Sequence, residues 1–214
     1  MQTIFLIILA AVSAVHLVSL FFSREKLQAV TKILLIPLIL AVYISRSPAV
    51  FVPVVLALLF GWAGDIFLLK IDDIRFFRLG LASFLLGHIC YIIAIFHFTL
   101  PFNMPVFAIS AVVAAILGFC AYRLVRPTKE MIIPAAIYEI VLLSASVCAL
   151  QLFLAKGAPS GAFIFAGSLC FLVSDTLLAY FTFGARPKYG QFLVMLTYIS
   201  AQLCLALGFA SLGI

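Results

Sequence analysis

Long apolar blocks alternate with short polar breaks along the whole chain. Near-continuous runs of Leu, Ile, Val, Phe and Ala cover about 2–22, 31–46, 48–69, 76–98, 104–124, 131–154, 160–182 and 190–213, and the breaks hold charges, Pro or Gly. A helix needs about 20 residues to cross the ~30 Å hydrocarbon layer, so each block predicts one spanning helix. The second block is the shortest and meets the third across Arg46, Ser47 and Pro48. Discarding it would leave seven spans and spoil the charge alternation described below. The first block has no Lys or Arg ahead of it and is long for a signal-peptide core, so it is read as a retained span despite the small residues around Ser13 and Ala14. The expected architecture is an all-α integral membrane bundle of eight transmembrane helices, a single domain over residues 1–214.

Composition adds that little else is present. Hydrophobic residues make up 67% of the chain and charged ones 9%, against about 25% charged in an ordinary soluble protein. Too few charges remain to coat a soluble domain, and no Ser-, Pro- or Glu-rich stretch marks a disordered tail. Cys90, Cys120, Cys148, Cys170 and Cys204 all lie inside apolar runs without metal-ligand spacing. They are read as small packing residues, and neither a disulfide, a metal nor a cofactor is expected.

Charge orients the spans. The breaks after blocks one, three, five and seven hold Arg24, Lys26, Lys70, Arg75, Arg78, Arg123, Arg126, Lys129, Arg186 and Lys188, and Lys32 lies just inside the second block on that side. The opposite breaks hold only Arg46 and Lys156. Cytoplasmic loops collect Lys and Arg, so both termini are expected outside, in a plasma membrane and, on the resemblance given below, a bacterial one. The net charge of +6 is then a matter of topology and anionic lipid headgroups, with no indication of nucleic acid.

Two echoes suggest a duplicated four-helix unit in parallel orientation. Thr31-Lys32 to Pro37 opens the second block as Thr128-Lys129 to Pro134 opens the sixth, and Gly64-Asp65 ends the third as Ser174-Asp175 ends the seventh. In that arrangement Asp65 and Asp175 are counterparts across a pseudo-twofold axis.

Asp65, Glu139 and Asp175 lie within spans. An acid at the bilayer centre costs about 2.5–3.5 kcal/mol, so three unpartnered ones would cost on the order of 8–10 kcal/mol and must face the bundle interior, water or each other. His88, Tyr91, Tyr138, Tyr198 and Gln202 obey the same constraint. His88 and Tyr91 share a helix face at i, i+3, and Tyr198 and Gln202 at i, i+4. Counting ~1.5 Å per residue from the nearest loop cation puts His88, Glu139, Tyr198 and Asp175 roughly 15 Å deep and Asp65 about 8 Å deep, with Lys32 near the rim. All lie between mid-membrane and the basic side, which predicts one chamber open toward that leaflet. His16 and His97 are placed toward the opposite side. Each polar group also has a purely structural reading: Asp65 paired with Lys32 or a loop Arg, the tyrosines and Gln202 as interhelical hydrogen-bonders, Glu139 as partner of a neighbouring Tyr.

The ordered set Lys32 with Pro37, Gly64-Asp65, Phe76-Phe77 through Phe84, His88 and Tyr91, Pro134 with Tyr138, Ser174-Asp175, and Tyr198 with Ala201-Gln202 resembles the lysoplasmalogenase-type family, also called the YhhN family. Glu139 is not part of that pattern. The resemblance implies a membrane hydrolase that cleaves the vinyl ether of a lysoplasmalogen to a fatty aldehyde and a glycerophospho-base. Such chemistry needs a carboxyl group that keeps its proton near neutral pH and a second group to stabilise an oxocarbenium ion or activate water, as low dielectric and paired carboxyls allow. Asp175 is expected as donor and Asp65 as base or stabiliser. His88, Tyr138, Tyr198 and Gln202 are expected to orient water or the ether oxygen, with Tyr91, Glu139 and Ser174 beside them. Lys32 is expected to bind the lipid phosphate. A small proton-coupled transporter or lipid flippase, and a structural or lipid-sensing membrane protein, are the alternatives. They differ in that a transporter needs access from both sides.

Overall fold

A computed structural model describes residues 2–22, 24–99, 102–184 and 187–212. Among them are eight helices long and apolar enough to cross a membrane: α1 (Gln2–Phe21), α2 (Glu25–Arg46), α3 (Val52–Phe67), α4 (Ile74–Thr99), α5 (Met104–Val125), α6 (Ile132–Lys156), α7 (Ser160–Phe183) and α8 (Gly190–Ala210). The eight-helix reading of the hydropathy pattern holds, with three boundaries moved by three residues or more. Helix α2 begins at Glu25 rather than 31, because Glu25 suits the positive end of the helix dipole and Lys26, Leu27 and Gln28 are good helix formers. Helix α3 begins at Val52 rather than 48, with Pro53 in the first turn, where a missing N–H costs nothing. Helix α8 ends at Ala210; Gly213, included in the expected span, lies outside the described residues, as does Arg186.

Short connections set the ends of the bundle. Asp73 caps α4: its Oδ1 accepts from the Arg75 backbone N–H at 2.9 Å, and the Arg75 side chain, bonded to the same carboxyl, holds Asp73 below the usual carboxylate range. At the start of α5, Asn103 Oδ1 accepts from Val106 N–H at 3.2 Å. These caps matter because a hydrocarbon layer supplies no water to satisfy a frayed helix end.

Packing has a two-part order. Helices α3 and α4 pack as one close pair and α7 and α8 as another, while α2 lies against α8 and α6 against α4. This is the neighbour relation expected if α1–α4 and α5–α8 correspond. Gly167 makes the α7–α8 contact close, since a methyl group there would sit 3.0 Å from the Ala201 carbonyl oxygen. The prolines of the two sequence echoes sit differently in their helices. Pro37 is inside α2 and has no N–H to offer the Ile33 carbonyl, which instead accepts from Trp62 Nε1 of α3 at 2.9 Å. Pro134 lies in the first turn of α6, where a missing N–H leaves no helical bond unmade, and the Glu130 carbonyl before it accepts from Arg78 Nη2 of α4 at 3.4 Å.

Helices α4, α6 and α8 are central, and α1 and α5 are peripheral. Only Val125 of α5 is buried, and Ile109, Val112, Ile116 and Phe119 project outward. Lipid tails are as apolar as these side chains, so such a surface suits a bilayer and would be a liability in water.

Candidate active site

The inward polar residues converge between α2, α3, α6, α7 and α8, toward the end of the bundle that carries Arg24, Lys70 and Lys129. At the centre is Asp65, 1% exposed. Lys32 Nζ lies 3.5 Å from its Oδ1, and Tyr198 donates to its Oδ2 at 2.6 Å. The Tyr198 hydroxyl in turn accepts from Gln202 Nε2 at 3.4 Å, and Gln202 Oε1 accepts from Tyr91 at 2.8 Å. One chain of hydrogen bonds therefore runs from Lys32 through Asp65, Tyr198 and Gln202 to Tyr91. It links four helices, and each member supplies what its neighbour lacks, as burial demands.

Lys32 lies about two turns into α2, and its ammonium reaches inward to Asp65. Its charge is compensated by Asp65 within the protein, the structural reading of this pair.

Asp175 has a different setting. Tyr138 donates a hydrogen bond to its Oδ2, and among the described residues no ion pair reaches it. Asp175 borders two cavities. A polar cavity of about 610 Å³ is lined by Lys32, Asp65, Ser174, Asp175 and Tyr198, and its mouth by Glu25, Lys26 and Asp72 of the basic end. An apolar groove of about 320 Å³ runs between α5 and the faces of α4, α6 and α7, lined by Ala115, Phe119, Ala136, Tyr138, Glu139 and Asp175. Leu68, Phe84, Asp175 and Leu178 border both spaces. The single chamber expected from depth counting is thus two compartments with one shared wall. Phe84 reaches that wall because Gly64 has no side chain: a methyl group at Gly64 would lie 2.6 Å from the Phe84 ring.

The other expected residues distribute unevenly. The Ser174 hydroxyl is turned to the Val194 carbonyl at 3.1 Å and ties α7 to α8. Glu139 faces the groove, and its Oε1 is buried with no hydrogen-bond partner. His88 and Tyr91 line neither large compartment; they border a separate void of about 10 Å³. His88 Nδ1 bonds to the Phe84 carbonyl at 2.8 Å. Its ring packs on Phe171 at 4.5 Å and on Tyr138 at 5.7 Å, and Phe171 in turn meets Tyr198 at 5.6 Å and Phe84 at 6.2 Å. Helical depth alone put His88 in the chamber, but the rotation of α4 turns it behind Phe171.

One lining residue was placed on the wrong side by sequence reasoning. His16 is buried on the wall of the polar cavity with Lys32 and Asp65. It lies ~8 Å before the end of α1, at the basic end rather than the opposite one. Arg24, the loop cation eight residues further on, marks that end in the sequence.

Eight apolar helices with their polar groups turned inward define a multi-pass membrane protein with a two-compartment interior. The chain belongs to the YhhN family, whose model matches residues 27–209, from the first turn of α2 to the last turn of α8. That family includes lysoplasmalogenases. Neither a curated protein nor a solved structure matches the chain.

Proposed function

We propose that this protein is a membrane ether hydrolase that cleaves the vinyl ether bond of lysoplasmalogens. The observation that carries the reading is the position of Asp175 on the wall between a polar cavity and an apolar groove. A lysolipid has the same division, with a charged headgroup at one end, an alkyl chain at the other and the ether between. The headgroup enters the polar cavity from the basic end, which faces the cytoplasm on the positive-inside rule. Lys26 at its mouth meets the phosphate. The chain lies in the groove beside α5 and leaves sideways into the bilayer.

In the proposed reaction Asp175 transfers a proton to the vinyl carbon remote from oxygen. The Tyr138 bond holds one carboxyl oxygen and leaves the other to carry that proton. The resulting oxocarbenium ion is attacked by water, which gives up a proton to Asp65 as the C–O bond forms. The hemiacetal then gives its hydroxyl proton to Asp175 while Asp65 returns its proton to the departing glycerol oxygen, so that a fatty aldehyde and a glycerophospho-base leave, one water is consumed and both carboxyl groups are restored. Lys32 and Tyr198 hold Asp65 in place for this step. The lining of the polar cavity comes entirely from the basic half of the bundle, which favours a one-sided enzyme over a transporter.

The test is aldehyde release from a lysoplasmalogen by detergent-purified protein, for the wild type, Asp65→Asn and Asp175→Asn. A folded wild type that is inert toward vinyl ether lipids refutes the substrate. Two Asn variants at full rate refute the carboxyl mechanism. Proton-coupled flux in liposomes without hydrolysis would support the transporter.

A further inference from the structure

Helix α1 lies outside the residues matched by the family, yet it contributes His16 to the polar cavity. The side chain is 1% exposed, and its Nδ1 is 2.8 Å from Thr31 Oγ1 of α2. The Thr31 hydroxyl is also 2.7 Å from the Leu27 carbonyl and 3.2 Å from the Gln28 carbonyl, and both of these oxygens only accept. Thr31 has one hydrogen to give. With it directed to a carbonyl, the contact with His16 is a hydrogen bond when Nδ1 carries the ring proton. In the neutral ring Nε2 is then a bare acceptor. That atom is buried and has no partner within the protein.

We propose that His16 is a specificity-determining residue whose Nε2 accepts a hydrogen bond from the free glycerol hydroxyl of the lysolipid in the polar cavity. This rests on the lipid-hydrolase reading above. His16 and Lys32 both line this cavity, so its wall presents an acceptor and a donor of fixed type. The ammonium has only hydrogens to give and the neutral imidazole offers only a lone pair. A hydroxyl satisfies Nε2, whereas a methyl ether or ester at that position brings no hydrogen. A water on Nε2 is the rival occupant, and it is indifferent to methylation of the lipid.

The experiment compares kcat/KM for a lysoplasmalogen and its hydroxyl-methylated counterpart in purified full-length wild type, His16→Leu and Thr31→Val. The wild type is expected to prefer the free hydroxyl by about tenfold or more. In His16→Leu the ratio falls toward one, through loss of rate on the hydroxyl lipid. Thr31→Val keeps the ring but removes the acceptor on Nδ1, so the proton can move to Nε2 and meet the methylated oxygen; the ratio falls there too. A wild-type ratio near one, or a ratio retained in either folded variant, overturns the proposal. If the wild type hydrolyses neither lipid, the reaction is refuted but this inference is still decided by binding. A non-cleavable alkyl-ether lysolipid and its methylated form are titrated against the fluorescence of Trp62, the single tryptophan, which is bonded to α2 beside Lys32. Tighter binding of the hydroxyl form, lost in His16→Leu, upholds the proposal, and equal binding overturns it.

Discussion

Asp65 and Asp175 occupy similar places in the two halves of the bundle, but the protein treats them differently. Asp65 has a cation at 3.5 Å, a phenol at 2.6 Å and a hydrogen-bond chain that continues to Tyr91. Asp175 has one phenol and two open compartments. The first carboxyl group is compensated within the fold, so its removal is a structural injury as well as a chemical one. The second faces whatever enters the cavities, so its removal is chiefly chemical. Two acids of the same type in the same bundle can therefore be distinguished by what fails when each is lost.

The largest expected effect is on rate. Asp175→Asn is predicted to lower aldehyde release by about 10²–10⁴-fold, the usual worth of a general acid, with a melting temperature near wild type because Asn still accepts from Tyr138. Parallel activity and melting measurements check this, and a large loss of stability would erase the distinction. Asp65→Asn is predicted to cost about 2–4 kcal/mol, because the half-buried Lys32 loses its counter-charge and Tyr198 its charged acceptor. Adding Lys32→Met should return most of that stability, measured by unfolding in mixed micelles, without returning activity. Next in size is the pair of phenols. Tyr198→Phe removes a charge-assisted bond and should destabilise by about 1.5–3 kcal/mol, whereas Tyr138→Phe should change kcat more than stability. The smallest effect concerns the groove beside Asp175. Ala115→Phe, which narrows it from the exposed α5 side, should raise KM for long-chain lipids by up to about tenfold and leave short-chain lipids unchanged.

Much of this contrast could be read before the structure. Hydropathy located eight spans, and the cost of unpartnered charge in hydrocarbon identified Asp65, Glu139 and Asp175 as inward-facing. The i, i+4 spacing of Tyr198 and Gln202 foretold a shared face, and both do belong to one hydrogen-bond chain. The same reasoning failed for His88 and for His16. For His88 the error was rotational: helical depth says how far along the membrane normal a residue lies, not which neighbour it meets. The start of α2 was displaced because Glu25, Lys26 and Gln28 form helix without being apolar.

The sequence by itself determined that this chain is a membrane bundle, where its spans lie and which groups the bilayer would force inward. Those properties follow from transfer free energies that add up residue by residue along each segment. Only the tertiary structure decided that Lys32 pairs with Asp65 and Tyr138 with Asp175. It alone set His88 behind Phe171 and His16 in the cavity, and it alone divided the interior at the Asp175 wall. Those outcomes depend on how helices rotate and approach one another. That is governed by side-chain packing and small-residue contacts such as Gly64 against Phe84, which no single span encodes.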